Sequence, residues 1–155
     1  STKKDRTPQE KRFGVQIDSL SDLICFGVLP GVTVYAAARG ALYAALAAGL
    51  YVLAALIRLA WFNVDEEERQ DTDNGQREMY LGLPVTTSAL FLPTVLGLAR
   101  LLHGPLPILG TALLVVMALA FLSPFKLAKP RLPGMILMIL MGCAELVIVF
   151  LGVKP

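Results

Sequence analysis

The chain has 155 residues, of which 55% are hydrophobic, and its 14 Lys and Arg and 12 Asp and Glu side chains leave a net charge of only +2. A soluble domain of this length carries roughly 40 charged side chains, so the composition argues against a soluble globular protein. Because the charge is nearly balanced and no basic stripe carries interleaved aromatic residues, it also excludes a nucleic-acid-binding protein.

Charges are concentrated in three blocks, and the sequence between the blocks is apolar over lengths that suit a bilayer span. We predict five spans, at residues 13–38, 40–57, 79–99, 101–125 and 132–153. The hydrophilic segment 64–78 predicts a solvated cytoplasmic loop. The expected fold class is therefore all-α: residues 1–155 form a single membrane domain, a polytopic transmembrane bundle of about five spanning helices.

The distribution of Lys and Arg predicts the orientation of these spans. With five spans, 11 of the 14 basic residues fall on the side that holds the N-terminus, and three, Arg39, Arg100 and Lys154, fall on the other. Cytoplasmic loops of membrane proteins carry the excess of Lys and Arg. We therefore expect the N-terminus in the cytoplasm.

Three residues spaced four apart, Gly14, Asp18 and Asp22, share one face if the first span is helical, and Ser21 lies on that face too. Two carboxylates one turn apart at a membrane boundary repel each other and lose solvation, and a divalent cation offsets that cost. Hard oxygen ligands favour Mg²⁺, Mn²⁺ or Ca²⁺. The spacing leaves a second interpretation open, in which both acids lie in the headgroup layer and flank a helix that begins near Leu23.

Three short sequence motifs, which we call words, resemble motifs of a known protein family. FGVQIDSLSDLICFGVLPG, residues 13–31, closely resembles the second half of the CDP-alcohol phosphotransferase signature, D-x-x-D-G-x-x-A-R-x8-G-x3-D-x3-D. LIRLAWFNV, residues 56–64, resembles the family's LRLARFN, and YLGLPV, residues 80–85, resembles its F-x-GLPxP. Within the family, the DSLSD and GLP words are similar to those of the members that use L-serine as the acceptor.

The resemblance implies an enzyme of phospholipid biosynthesis in the cell (inner) membrane, with its active site facing the cytoplasm. Its substrates would be CDP-diacylglycerol and L-serine, and its products phosphatidylserine and CMP. The family's metal site, which holds Mg²⁺ or Mn²⁺, is built from four aspartates. Carried over, Asp18 and Asp22 would be metal ligands and Asp22 also the general base. Gly14, Ser21, Arg58 and Asn63 would bind substrate, and the protein would be a homodimer in contact with membrane lipids.

The chain departs from the family pattern in two ways. The first half of the signature is absent, since only thirteen residues precede Gly14, so we expect this chain to be the C-terminal portion of a longer enzyme. Trp61 stands where the family has the second Arg of LRLARFN. Two alternatives stay open: transfer to another alcohol acceptor in the same family, and a degenerate membrane protein without activity. For Arg58, snorkelling of a membrane-helix side chain to the interface is the competing interpretation.

Overall fold

The computed structural model describes residues 7–72, 79–124, 126–128, 140 and 142–143. Helix α1 spans Pro8–Asp22 and begins with a capping box: the Thr7 hydroxyl accepts from the Glu10 backbone N–H, and the Glu10 carboxylate accepts from the Thr7 N–H. Proline is favoured in the first turn because its missing N–H has no helical partner there. The interpretation in which the helix begins near Leu23 is therefore wrong.

Helix α1 continues without a break into a π-helical turn, Leu23–Val28, and then into α2, Leu29–Ala37. Together these elements form an apolar helix of 30 residues, Pro8–Ala37. It ends at a tight turn in which Arg39 and Gly40 have φ angles of 53° and 78°. The first predicted span, 13–38, is therefore helical, and its helix begins five residues earlier than predicted.

Helix α3, Leu42–Thr72, is longer than the apolar pattern predicted. Its last nine residues belong to the segment 64–78 that we expected to be a loop, so that expectation is wrong for 64–72, and 73–78 lie outside the described residues. The reason is composition: Glu, Gln and Arg are strong helix formers, and extending an existing helix avoids the cost of nucleation. An exposed ion pair of 3.7 Å between Arg12 and Glu67 joins this polar extension to α1.

The third predicted span, 79–99, is helical only in its second part. Residues Met79–Leu81 form strand β1, Val85–Thr87 form a 3₁₀ turn, and helix α4 spans Ser88–Leu101. Two residues prevent an earlier start: Gly82 has a φ of 72°, outside the helical region, and a proline at 84 disfavours helical geometry in the residue before it. Strand β1 pairs antiparallel with strand β2, Lys126–Ala128.

Helix α5, Leu106–Leu122, follows a turn at His103 and packs against α2, α3 and α4. Close approach of α5 and α2 requires Gly110, because a Cβ there would lie 3.2 Å from the Val34 side chain. The buried core between the helices is almost entirely apolar and comprises Val34, Tyr51, Ala54, Ala55, Val85, Leu92, Leu114, Met117, Ala118 and Phe121.

The outward faces of the helices are apolar as well. Large hydrophobic side chains that are at least 44% exposed line α3, and they include Leu42, Leu46, Leu50, Leu53, Leu56 and Ile57. A helix that is apolar all round suits an environment of lipid. Among the described residues, Pro8–Ala37 and Leu42–Glu68 are long and apolar enough to cross a membrane, and Val85–Leu101 and Leu106–Leu122 are shorter apolar helices. The described chain is thus a bundle of apolar helices, and nearly all of the predicted span 132–153 lies outside it.

Candidate active site

The two predicted metal ligands lie within one continuous helix. Asp18 is exposed and Asp22 is partly buried in α1, one turn apart. On the same face, Gly14 is partly exposed, and a Cβ placed on it would meet no atom within 4 Å. Ser21 is exposed beside them. The spacing argument therefore holds in the structure. We call the surface formed by Gly14, Asp18, Ser21 and Asp22 the carboxylate face; Asp18 and Ser21 are exposed on it, and Gly14 and Asp22 are partly exposed.

Asn63 of α3 reaches this helix. Its side-chain amide Nδ2 donates a hydrogen bond of 2.8 Å to Oγ of Ser19, the residue after Asp18. Both side chains are partly buried. This bond between residues 44 positions apart joins the DSLSD word to the RLAWFN word.

Arg58, the first residue of the RLAWFN word, lies five residues before Asn63 in α3 and is only 7% exposed. Its Nε donates to the Leu83 carbonyl at 3.1 Å, and its Nη2 donates to the Gly82 carbonyl at 3.3 Å. Snorkelling to the interface is therefore not what this side chain does. The planar guanidinium presents N–H groups from two nitrogens in a fixed fork that matches two successive carbonyls, a geometry that the single nitrogen of a lysine ammonium does not reproduce. Arg58 thus fastens the GLP loop, residues 82–84, to α3.

Gly82 is required in that loop for two reasons. Its positive φ of 72° is unfavourable for residues with a Cβ. A Cβ there would also lie 2.9 Å from the Ser123 carbonyl oxygen and 3.4 Å from Cζ of Arg58. The glycine therefore lets the loop pass between Arg58 and the end of α5.

A second polar cluster joins α3 and α4 to the first helix, and the sequence analysis missed it. The Phe26 carbonyl accepts from Oη of Tyr51 at 2.6 Å and from Oγ of Ser88 at 3.1 Å. Pro30, four residues after Phe26, has no N–H to give that carbonyl its usual helical bond. This proline was the signal in the sequence, since it implies a freed carbonyl that needs another donor. We call Phe26, Tyr51 and Ser88 the carbonyl cluster.

Three words of the sequence are therefore held together by named contacts. Ser19 to Asn63 joins DSLSD to RLAWFN, and Arg58 to the GLP loop joins RLAWFN to GLP. The structure places Asn63 against the residue after Asp18 and places Arg58, on the same helix, against the GLP loop. It also shows that the polar groups of both are used in contacts between parts of the fold. Trp61, which replaces the family's second Arg, is 64% exposed.

The carboxylate face fits a hard divalent cation in part. Among the residues that the structure describes, no group of three or more His, Cys, Asp or Glu side chains comes together. Magnesium, however, is commonly held by one or two carboxylates together with substrate phosphates and water. Asp18 and Asp22 supply two such carboxylates on one open face. The donor set therefore suits a metal that is shared with a phosphate-bearing substrate.

No protein-family model matches the chain, but curated relatives do. It is 36% identical over 88 residues to the CDP-diacylglycerol–serine O-phosphatidyltransferase of Saccharomyces cerevisiae. The aligned segment covers 56% of this chain and 31% of the relative. It is also 32% identical over 124 residues to the archaetidylserine synthase of Methanothermobacter thermautotrophicus, and this aligned segment covers 79% of this chain and 47% of the relative. The CDP-diacylglycerol–serine O-phosphatidyltransferase of Mycobacterium leprae is 34% identical over 93 residues.

These comparisons confirm the resemblance that the three words indicated. The relatives are named as transferases that make phosphatidylserine or archaetidylserine, so the chain is similar to phosphatidylserine synthases. It spans about half or less of the length of the curated relatives that it matches.

Proposed function

We propose that this chain is part of an integral-membrane enzyme that transfers a phosphatidyl group from CDP-diacylglycerol to L-serine, producing phosphatidylserine and CMP. The observation that carries the proposal is the convergence of the DSLSD, RLAWFN and GLP words through the Ser19–Asn63 and Arg58–loop contacts. The names of the relatives, two CDP-diacylglycerol–serine O-phosphatidyltransferases and an archaetidylserine synthase, support serine as the acceptor.

In this proposal Asp22 is the general base. The hydroxyl oxygen of serine forms a bond to the phosphorus on the diacylglycerol side of the pyrophosphate, the phosphorus–oxygen bond to CMP breaks, and the serine hydroxyl proton passes to the Asp22 carboxylate. General base catalysis of this kind contributes about 10² to 10⁴ in rate. Asp22 suits the role because it is only partly buried and therefore accessible to a substrate hydroxyl.

Asp18 and Asp22 would together hold Mg²⁺ or Mn²⁺. A bound cation of this kind neutralises charge on the pyrophosphate and on the leaving CMP. Gly14 and Ser21 border the same open face and would contact the substrate. For Asn63 and Arg58 we propose that contact with substrate is secondary to holding α1 and the GLP loop against α3, since that is where their donors point.

We further propose that the chain crosses the membrane about five times, with the N-terminus and the carboxylate face on the cytoplasmic side of the cell membrane. The 11-to-three distribution of Lys and Arg supports this orientation. Apolar side chains exposed on every long helix support contact with lipid. A homodimer remains a proposal from the family resemblance.

A second lipid substrate, one that carries an archaetidyl group, is a candidate donor in the same reaction. The archaetidylserine synthase matches 79% of this chain, against 56% for the yeast transferase. An archaetidyl group in place of the phosphatidyl group would change the lipid tails and leave the serine chemistry as it is. The assay therefore compares two donor lipids with the same acceptor.

The test is serine-dependent release of CMP by the purified full-length protein in nanodiscs, with Mg²⁺ or Mn²⁺ and with either CDP-diacylglycerol or its archaeal ether-lipid counterpart. Glycerol 3-phosphate and inositol phosphate serve as competing acceptors. We expect CMP release with serine and its loss when the metal is chelated. Release with another acceptor but not serine would assign a different transferase, and no release with any pair would favour the degenerate membrane protein.

A further inference from the structure

The acceptor of the carbonyl cluster, the Phe26 carbonyl, belongs to the irregular part of the first helix. The π-helical turn Leu23–Val28 begins at the residue after Asp22, and the Leu29 N–H bonds to the Ile24 carbonyl five residues back. The Phe26 carbonyl lies inside this turn. Isolated π turns occur mostly as single insertions in α-helices, frequently beside functional sites.

The two hydroxyls that reach Phe26 come from different helices and from the deepest part of the bundle. Tyr51 of α3 is fully buried and Ser88, the first residue of α4, is 1% exposed. The Tyr51 ring also packs on Phe121 of α5, with ring centroids 5.5 Å apart. A buried carbonyl without a partner is costly, so the π turn is stable here because two hydroxyls replace the bond that Pro30 cannot make.

We infer that Tyr51 and Ser88 are positioning residues for the carboxylate face: by holding the Phe26 carbonyl, they maintain the π turn that sets the direction in which Asp18 and Asp22 point. This inference rests on the proposed function for its catalytic consequence, although the geometry can be tested without it.

The physical reason is helical phase. Each residue of an α-helix turns the chain by about 100°, and a π turn inserts roughly one extra residue. Loss of the insertion would rotate the segment before it by about that angle relative to α2, which packs on α3 and α5. Asp18, Ser19 and Asp22 all precede the turn, so they would move together. Ser19 would then leave Asn63, which makes this contact a reporter of the turn.

The variants are Tyr51→Phe, Ser88→Ala and the double variant in the full-length protein. The matched control is Thr111→Val, which removes a hydroxyl whose 2.7 Å bond goes to the Pro107 carbonyl of its own helix. The geometric readout is cross-linking of Ser19→Cys to Asn63→Cys by a one-carbon bis-methanethiosulfonate, after Cys25, Cys143 and any further cysteines of the full-length protein are replaced by serine. The yield is measured by mass spectrometry in nanodiscs.

We expect the double variant to lower the initial cross-linking rate by about fivefold, each single variant to lower it less, and Thr111→Val to leave it unchanged. Activity is measured in protein that lacks the Ser19→Cys and Asn63→Cys substitutions. There the double variant should lower kcat for serine-dependent CMP release by about tenfold, while KM for CDP-diacylglycerol changes by less than about twofold. The reason is that the variant alters the orientation of the reacting groups. A merely structural role would lower the amount of folded enzyme without this split.

The inference is overturned if cross-linking in all three variants equals that of the parent, or if Thr111→Val lowers it equally. Should the double variant fail to fold, the two single variants decide in the same way, because each retains one donor to Phe26. If the parent releases no CMP with serine, the proposed function fails, and the cross-linking rates still decide whether Tyr51 and Ser88 set the helix direction.

Discussion

The amide of Asn63 and the hydroxyl of Ser19 are joined by a hydrogen bond of 2.8 Å, although 44 positions separate them in the chain. Ser19 stands between the two acidic residues of DSLSD and is one position from Asp18. The contact therefore fixes α1 against α3 at the level of the carboxylate face.

This contact should show as an energetic coupling. We expect Ser19→Ala and Asn63→Ala to be non-additive, with a coupling of about 0.5 to 1.5 kcal/mol in the free energy of unfolding, since either change alone already breaks the bond. The measurement is a double-mutant cycle by denaturant titration in mixed micelles. Ser19→Ala with Thr33→Val is the control pair, because Thr33 bonds to the Leu29 carbonyl of its own helix. Additivity of the first pair would contradict the structure.

Asp22→Asn should abolish most of the turnover while the protein stays folded. Asparagine keeps the size of the side chain and cannot accept the serine proton, so we expect serine-dependent CMP release to fall by about 10² to 10⁴. Thermal unfolding should change little, because Asp22 is only partly buried. Gln16→Ala, an exposed residue of the same helix on another face, is the control. Turnover within about twofold of the parent in Asp22→Asn would remove Asp22 from the mechanism.

Arg58→Lys should destabilise the protein although the charge is kept. Nε and Nη2 donate to two successive carbonyls of the GLP loop. The single nitrogen of a lysine ammonium does not reproduce this fixed geometry, so we expect a loss of about 1 to 3 kcal/mol in unfolding free energy. Arg12→Lys is the matched control, because Arg12 forms an exposed ion pair and such pairs contribute little.

Kinetics separate this structural role from substrate binding by Arg58. If Arg58→Lys raises the apparent KM for serine or CDP-diacylglycerol several-fold at unchanged stability, the residue binds substrate, as the family resemblance implies. A loss of stability with unchanged KM assigns it to the loop.

Gly82→Ala should be more harmful than an ordinary glycine substitution. The alanine would adopt an unfavourable positive φ, which costs about 1 to 2 kcal/mol, and its Cβ would lie 2.9 Å from the Ser123 carbonyl oxygen. The control is Gly49→Ala in α3, where a Cβ would meet no atom within 4 Å, and where alanine favours the helix by about 0.5 to 1 kcal/mol. Thermal unfolding of both variants in the same detergent checks the contrast. Equal midpoints would refute the loop geometry.

Part of this molecule could be predicted because it depends on local pattern. The apolar runs indicated helices, and the four-residue spacing of Gly14, Asp18 and Asp22 placed them on one face of a helix. Helix ends were predicted less well. The predicted spans followed hydrophobicity alone. They therefore missed the polar extension of α3 to Thr72, which depends on helix propensity. They also missed the late start of α4 at Ser88, which depends on the backbone of Gly82 and Pro84.

The sequence by itself determined the class of fold, the face that carries the two aspartates and the resemblance to CDP-alcohol phosphotransferases, because helical periodicity and short motifs are properties of neighbouring residues. Only the tertiary structure decided the partners of Arg58, Asn63, Tyr51 and Ser88. These side chains reach across 24 to 62 positions. The physical reason is that a buried polar group must find a partner wherever the packing of other helices places one, and no local pattern specifies that place.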